Sequence, residues 1–331
     1  MSLTGIGTDR VSWGIIGCGN VTEVKSGPAY QQTNGFELSA VMRRDAVKAE
    51  DYARRHQVPK FYFDADELIN DPEVNAVYIA TPPDSHRYFA LKVAEAGKVC
   101  CIEKPMASNY EDSLAIQSAF ATKKLPLFIA YYRRTLPRFT KIKSWLDEGR
   151  IGEVMTVSWT LHKPPSQTDL SKSFNWRTDS KVAPGGYFDD LASHGLDLLT
   201  YLLGDITEAK GVSLNQQKLY SAVDCVSAIW MHKSGITGTG NWNFGTYGFK
   251  DEIIITGNKG VVSFAVFDNA PIHLKSDEGE IKLEIEHPNP IQLHHVNAMR
   301  DHLLYKNLKH PSTGSSALHT SWVMDKILGK I

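Results

Sequence analysis

The chain has 331 residues, 42% of them hydrophobic, and its 36 basic and 37 acidic side chains give a formal net charge of -1. This length predicts about two domains, and this composition is typical of a folded chain rather than a disordered one. A neutral balance argues against nucleic-acid binding, and no apolar run approaches the ~18 residues that a membrane span needs. Cys18, Cys100, Cys101 and Cys225 lack the spacing of a disulfide framework, and the polar N-terminus lacks an apolar signal segment. We therefore expect reduced thiols and a cytoplasmic protein.

The first 131 residues alternate short apolar segments with helical ones. Strands are predicted at Val11–Ile16, Phe36–Met42, Lys60–Phe63, Val74–Thr81, Val99–Ile102 and Leu127–Tyr131. Helices are predicted at Asp45–His56 with Asp45 as the N-cap, at Asp84–Ala96 with Gly97 as the stop, and at Tyr110–Lys123. Because strands that alternate with helices of about a dozen residues form parallel βαβ units, this region predicts an open parallel sheet.

The pattern changes near residue 150, where strands begin to follow one another directly. They are predicted at Val154–His162, Ala209–Leu214, Val223–Met231, Gly235–Asn243, Glu252–Thr256 and Val261–Phe267. A polar loop is predicted at Lys163–Gly186, and helices at about Asp189–Leu203, Pro290–Lys306 and Ser315–Leu328. Consecutive strands joined by tight turns predict a large, mostly antiparallel sheet. We therefore predict an α/β domain at residues 1–131 and an α+β domain at residues 132–331, and leave open whether the terminal helix packs back on the first domain.

A glycine-rich turn follows the first predicted strand and precedes a short helical segment. It is Gly17-Cys18-Gly19-Asn20-Val21-Thr22. In a dinucleotide-binding fold the first glycine permits a tight turn, and the second lets the backbone approach a pyrophosphate at the N-terminus of the next helix. Thr22 replaces the third glycine of this pattern, which weakens the case for close helix–strand packing and leaves the phosphate site intact.

The end of the second predicted strand bears on which dinucleotide binds. Sites for NAD place an acidic residue there for the ribose hydroxyls, whereas sites for NADP place an arginine for the 2′-phosphate. The first polar residues here are Arg43 and Arg44, and guanidinium groups suit bidentate contacts with phosphate. Asp45 is explained as a helix cap, although a ribose contact stays open. We predict NADP(H) in preference to NAD(H), with a solvated basic loop as the alternative.

Two further segments carry groups suited to proton and charge transfer. Glu103-Lys104-Pro105 ends a predicted strand, and ligands of open parallel sheets bind at the carboxyl ends of strands. Asp190, His194 and Asp197 have the spacing that places three side chains on one face of a helix. Acidic neighbours can orient a histidine and raise its pKa, so this face predicts a proton shuttle. A shared metal ion and a structural histidine are the alternatives.

With these motifs in this order, the chain resembles the Gfo/Idh/MocA oxidoreductases. The residues that carry the resemblance are the Gly-x-Gly turn, Ala80-Thr81-Pro82-Pro83-Asp84-Ser85-His86, Glu103-Lys104-Pro105, and Gly185-Gly186 followed by Asp190, His194 and Asp197. It spans at least residues 11–204, and the strand-rich remainder fits the second domain of that family. The resemblance implies an N-terminal Rossmann domain that binds NAD(P), followed by an α+β domain for substrate binding and oligomerisation.

The resemblance also implies roles for individual residues. Lys104 would orient the substrate and stabilise its oxygen, His194 would be the acid/base, and Asp190 would position the substrate or tune that histidine. The residues implied to bind the cofactor are Gly17, Gly19, Asn20, Val21, Arg43, Arg44, Thr81, Pro82, His86, Glu103 and Lys104. Those implied to bind substrate are Lys104, Trp176, Arg177, Asp190, His194 and Asp197, with Arg134 as a further basic group near the site. No metal is expected.

The implied reaction is reversible hydride transfer between a nicotinamide and a carbon bearing a hydroxyl group, on a sugar, a polyol or a related small molecule. Two other functions of the same fold stay open. One is a nicotinamide-dependent glycosidase, and the other is a non-catalytic regulator that binds a dinucleotide. The implied assembly is a homodimer or homotetramer, with no nucleic-acid or membrane partner.

Overall fold

A computed structural model describes residues 9–305 and 308–331, so the predicted helix end at Lys306 lies outside the described residues. The chain divides into two compact units. The first comprises Met1–Thr135 and Pro288–Leu318, and the second comprises Leu136–His287 and His319–Ile331. Residues 288–318 thus belong to the first unit, whereas the sequence prediction assigned all of 132–331 to the second domain.

The first unit contains a sheet of six parallel strands, as predicted. The strands are β1 (Val11–Ile16), β2 (Phe36–Met42), β3 (Lys60–Tyr62), β4 (Ala76–Ile79), β5 (Val99–Ile102) and β6 (Leu127–Ile129). Their order is β3-β2-β1-β4-β5-β6. The strand order therefore reverses between β1 and β4, and ligands of doubly wound sheets bind at this switch point.

Helices connect these strands and flank the second sheet. In chain order they are α1 (Asn20–Val24), α2 (Gly27–Gln32), α3 (Ala46–Arg55), α4 (Ala65–Asn70), α5 (His86–Glu95), α6 (Tyr110–Lys123), α7 (Pro137–Asp147), α8 (Gln167–Leu170), α9 (Ser193–Leu203), α10 (Leu293–Arg300) and α11 (Gly314–Ile327). Asp45 caps α3 as predicted, since its Oδ1 accepts a hydrogen bond from Lys48 N at 3.2 Å. No described helix combines the length and the apolar character needed to cross a bilayer.

Residues 288–318 belong to the first unit because they complete its hydrophobic core. Trp13 and Ile15 on one face of the sheet share a buried cluster with Val296 and Met299 of α10. Ser312 Oγ also donates a hydrogen bond to the carbonyl oxygen of Ile129, at the end of β6, at 2.7 Å. A segment distant in sequence therefore covers one face of the parallel sheet.

The second unit contains an eight-stranded sheet in the order β14-β13-β12-β11-β7-β10-β9-β8. Its strands are β7 (Val154–His162), β8 (Ile206–Leu214), β9 (Cys225–His232), β10 (Thr237–Asn243), β11 (Lys250–Gly257), β12 (Gly260–Phe264), β13 (Ile272–Ser276) and β14 (Gly279–Leu283). β7 pairs with β10 in parallel, and the other pairs of this sheet are antiparallel. The predicted, mostly antiparallel sheet is confirmed, and β13 and β14 are strands that the sequence prediction missed.

Gly195 allows α9 to lie close against β7 in the second unit. A Cβ atom on Gly195 would lie 2.2 Å from the ring of Trp159, which is 1% exposed and packs edge-on against Trp242 at 5.3 Å. We predict that Gly195→Ala lowers the free energy of unfolding by about 1–3 kcal/mol in chemical denaturation, because the ring has no space to move. The control is Gly19→Ala, whose nearest neighbour would lie 3.9 Å away. Equal stabilities of the two variants would contradict the close packing.

Candidate active site

A cavity of about 490 Å³ lies at the carboxyl ends of β1 and β4 in the first unit. Six of the predicted cofactor residues line it: Gly17, Gly19, Arg43, Arg44, Thr81 and Pro82. Met42, Cys18, Phe89 and Lys48 also contribute to the wall. The cavity occupies the switch point of the sheet, where a dinucleotide is expected.

The glycine turn leaves its backbone open to this cavity. Gly17 has a φ of +91°, and a Cβ atom there would lie 2.6 Å from Thr81 Cγ2. A Cβ atom on Gly19 would have no neighbour closer than Gly17 O at 3.9 Å, so the space beside that backbone is empty of protein atoms. This cradle fits a bulky group that must approach the main chain closely, as a pyrophosphate does.

Thr22, which replaces the third glycine of the pattern, stabilises the turn. Its side chain is fully buried, and its Oγ1 accepts a hydrogen bond from Gly19 N at 2.9 Å. Its carbonyl oxygen accepts a further hydrogen bond from Tyr52 on α3 at 2.9 Å. The predicted residues Asn20 and Val21 lie between these anchors at the start of α1.

The mouth of the cavity carries an excess of positive charge. Arg43 Nη1 donates a hydrogen bond to Cys18 O at 3.3 Å, so this side chain lies over the glycine turn. Arg44 and Lys48 are exposed beside it. Lys48 forms an ion pair with Asp45 at 3.0 Å and lowers the pKa of that carboxyl group. The lining holds these three cations and two carboxylates, Asp45 and Asp84, and the remaining positive charge favours an anionic ligand at this place.

Cys18 is a packing residue in spite of its place in the turn. The thiol is 1% exposed and belongs to the buried cluster of β1. Burial raises its pKa to about 11, in spite of the nearby Arg43. The thiolate is therefore scarce near neutral pH, and Cys18 is a poor nucleophile. All four cysteines are free, and among the described residues no cluster of three or more histidine, cysteine, aspartate or glutamate side chains has the arrangement of a metal site.

Glu103 anchors the backbone of the predicted catalytic lysine. Its Oε1 accepts hydrogen bonds from Tyr78 Oη at 2.5 Å and from Gln292 Nε2 at 2.9 Å, and its Oε2 accepts one from Lys104 N at 3.2 Å. The carboxylate is buried and fully engaged in holding the start of the Lys104-Pro105 turn. Gln292 precedes α10, and sequence reasoning missed it because it lies 189 residues from its partner.

Two predicted residues of the first unit lie beneath the surface. His86 is completely buried, with Nε2 2.8 Å from Thr81 O and Nδ1 3.1 Å from Pro105 O, so it lies between two loops and does not line the cavity. Burial lowers its pKa, so the ring is neutral and donates at one nitrogen. Arg134 is also buried, and its Nη1 donates a hydrogen bond to Pro311 O at 3.0 Å.

In the second unit the predicted helix 189–203 begins as a π-helical turn. Phe188–Ala192 is π-helical, and α9 begins at Ser193. A π turn bonds residue i to residue i+5, so the start of this segment departs from the regular α-helix that the sequence predicted. His194 and Asp197 do follow one another along α9, and both are buried. Asp197 accepts a hydrogen bond from Thr320 on α11 at 3.1 Å.

Arg177 is bound to Asp190, which sequence reasoning did not anticipate. Arg177 Nε donates to Asp190 Oδ2 at 2.8 Å, and the guanidinium group lies 4.3 Å from the ring centre of Trp176. Hydrogen bonds also hold the loop that carries Trp176 and Arg177. Asn175 Nδ2 donates to Tyr187 Oη at 3.1 Å, and Tyr187 Oη donates to Asp169 Oδ1 at 2.9 Å. Three of the predicted substrate residues therefore form one cluster.

The ring of His194 packs against Phe267, with its centre 5.8 Å from that of the phenyl ring. Phe267 is held by Asp251, whose Oδ2 accepts from Phe267 N at 2.5 Å and whose Oδ1 accepts from Trp159 Nε1 at 3.2 Å. Burial raises the pKa of Asp251. The wall beside His194 is thus fixed by a half-buried carboxyl group from β11.

Comparison with known proteins identifies the family. Residues 11–131 match the oxidoreductase family with an NAD-binding Rossmann fold, and residues 139–263 match the GFO/IDH/MocA C-terminal domain. An oxidoreductase of Formosa agariphila is 36% identical over 321 residues, which is 97% of this chain and 99% of the relative. The chain belongs to the Gfo/Idh/MocA family of oxidoreductases.

More distant relatives have named substrates of their own. Inositol 2-dehydrogenase of Rhizobium meliloti is 28% identical over 276 residues, 82% of this chain and 79% of that protein. Levoglucosan dehydrogenase of Pseudarthrobacter phenanthrenivorans is 30% identical over 198 residues, 60% of this chain and 47% of that protein. A solved structure of a levoglucosan dehydrogenase in complex with NADH has a TM-score of 0.86 and 21% identity, with 97% of this chain and 96% of that chain covered, which shows a shared fold.

Proposed function

We propose that this oxidoreductase transfers a hydride between NADP(H) and a hydroxyl-bearing carbon of a sugar, a polyol or a related small molecule. The observation that carries the proposal is the buried His194, four residues after the Asp190 that binds Arg177, on the same chain as a basic, glycine-lined cavity. The names of inositol 2-dehydrogenase and levoglucosan dehydrogenase support the substrate class.

The chemistry divides between the cofactor and the chain. The nicotinamide, when bound, supplies or accepts the hydride. His194 takes the proton of the hydroxyl group in oxidation and returns it in reduction. Lys104 places a positive charge at the substrate oxygen, where alkoxide character develops. Arg177 Nε donates a hydrogen bond to Asp190. Among residues 9–305 and 308–331, neither Nη group of Arg177 has a hydrogen-bond acceptor, so both are available to substrate oxygens.

The preference for NADP(H) rests on the cations at the mouth of the cavity. We predict that Arg43→Ala weakens NADPH binding about 10- to 100-fold and leaves NADH binding within about twofold, because a charge-assisted hydrogen bond to the 2′-phosphate contributes ~1.5–3 kcal/mol. The dissociation constants are measured by quenching of tryptophan fluorescence. The matched control is Arg54→Ala, an exposed arginine on α3 that pairs with Asp51. If Arg43→Ala lost the same affinity for NADPH and NADH, Arg43 would stabilise the glycine turn and would not recognise the 2′-phosphate.

A screen of sugars and polyols at 340 nm tests the reaction itself. The proposal predicts substrate-dependent change in NADPH absorbance with formation of one carbonyl product per cofactor oxidised or reduced. Cleavage of a glycoside with no net change at 340 nm would instead identify a nicotinamide-dependent glycosidase. Tight cofactor binding without either reaction across the panel would favour the regulator.

We also propose self-association through the open face of the eight-stranded sheet. Val212, Leu214 and Ile229 are exposed on β8 and β9, and the neighbouring groove of about 930 Å³ is lined by Ile229, Met231 and Trp322. Exposed apolar surface of this kind is typical of an interface. The homodimer or homotetramer and the cytoplasmic location remain predictions.

A further inference from the structure

Asp189 precedes Asp190 in the chain and is buried in the second unit, at 7% exposure. Its Oδ2 accepts a hydrogen bond from Gly185 N at 2.8 Å, and among the described residues this is the one hydrogen bond that its side chain receives. A Cβ atom on Gly185 would lie 2.2 Å from Asp189 Oδ1. The carboxyl group is therefore packed directly on the turn that leads into the π-helical segment.

The turn itself has little freedom. Gly186 has a φ of +62°, and a Cβ atom there would lie 2.4 Å from Val223 O. Phe188 N donates a hydrogen bond to Gly185 O at 3.1 Å. Phe188 begins the π turn, so this turn is bound to the same glycine whose N–H group Asp189 accepts. Any change in the bond between Asp189 and Gly185 is thus transmitted to the backbone that carries Asp190.

Charged groups from two parts of the chain face Asp189. Asp190 is its neighbour in sequence, and Asp325 and Lys330 come from the C-terminal segment. Lys330 Nζ lies 3.1 Å from Asp325 Oδ1, and Lys330 N donates to Asp325 O at 2.9 Å, so the lysine is anchored at both ends. Burial raises the pKa of Asp189 to about 6; Lys330 opposes this rise, and Asp325 and Asp190 add to it.

We propose that Asp189 is a positioning residue, whose ionised carboxylate fixes the Gly185–Asp190 turn in its active conformation, and that Lys330, anchored by Asp325, supplies the counter-charge. An ionised acceptor binds an N–H group more strongly than a neutral acid does. Protonation of Asp189 is therefore expected to loosen this turn at low pH, and Lys330 opposes that protonation. This inference rests on the proposed function, in which Asp190 belongs to the substrate site.

Titration of Asp189 by NMR tests the electrostatic part without any substrate. The full chain is labelled with ¹³C at aspartate Cγ, and the Asp189 signal is assigned by its loss in Asp189→Asn. We expect a midpoint near pH 6 in the wild type, a higher midpoint in Lys330→Met, and a return to the wild-type value in Lys330→Arg. A midpoint near the ordinary value of about 4, unmoved in Lys330→Met, would overturn the proposal.

The pH dependence of kcat tests the positioning part. We expect Asp189→Asn, which keeps the size of the side chain and one acceptor oxygen, to lower kcat about tenfold at pH 8 and to lose the acid limb near pH 6. Lys330→Met should keep the wild-type kcat at pH 8 and shift that limb upward, and NADPH affinity should be unchanged in both variants. An acid limb that neither variant moves belongs to another group, such as His194, and overturns the proposal. A wild type inactive on every substrate would refute the proposed function, while the NMR titration would still decide the state of Asp189.

Discussion

His194→Ala is expected to lower kcat by about 10²–10⁴-fold, which is the usual contribution of general acid–base catalysis. The variant should fold, because α9 is held by other contacts, among them the hydrogen bond of Asp197 with Thr320. The dissociation constant for NADPH should stay within about twofold of the wild type, since the cavity residues belong to the first unit. Steady-state kinetics at saturating cofactor, together with fluorescence titration, measure the two quantities.

The control for this variant is His273→Ala, which removes a half-buried imidazole from β13. It should keep wild-type kcat. A His194→Ala enzyme that turns over as fast as the wild type would remove this residue from proton transfer. A loss confined to KM would instead assign His194 to substrate binding.

Lys104→Met should lower kcat by about 10²–10³-fold, comparable to the loss of one donor that stabilises a developing oxyanion. The backbone at this position is held through its amide by Glu103, so a change of side chain leaves the turn in place. Lys104→Arg keeps the positive charge and should recover part of the rate. The rates are measured over the same pH range for all three proteins.

Lys92→Met is the matched control. Lys92 lies on α5 in the same unit, and its ammonium group pairs with Asp66 of α4. It should leave both kcat and KM unchanged. If Lys104→Met retained the wild-type kcat, the developing charge would be stabilised elsewhere. If Lys104→Arg and Lys104→Met were equally slow, a positive charge alone would not explain the role.

Local sequence patterns predicted the framework of both sheets. β1, β2, β5, β7 and α6 have the bounds that the sequence predicted. Gly17 follows β1, Gly35 precedes β2, and Asn109 caps α6. The prediction missed α2, which begins with Gly27 and Pro28. It also missed β13 and β14, which are short strands with many polar residues. Weak local preference in these segments is overcome by tertiary packing.

Contacts between distant residues account for what the sequence did not reveal about the site. Gln292 meets Glu103 across 189 positions, and Thr320 meets Asp197 across 123, so no local motif contains these pairs. The ion pair of Arg177 with Asp190 is closer in sequence, yet it depends on the fold of the intervening loop. The residue types were readable from the sequence, whereas the partners that fix their positions were not.

Binding of dinucleotides to the wild-type protein tests the proposed function most directly. Tryptophan fluorescence is titrated with NADPH, NADP⁺, NADH and NAD⁺, and the supernatant of denatured protein is examined at 340 nm for cofactor retained through purification. We expect saturable binding, tighter for NADP(H) than for NAD(H). A folded protein that binds none of the four and releases no cofactor on denaturation would contradict it.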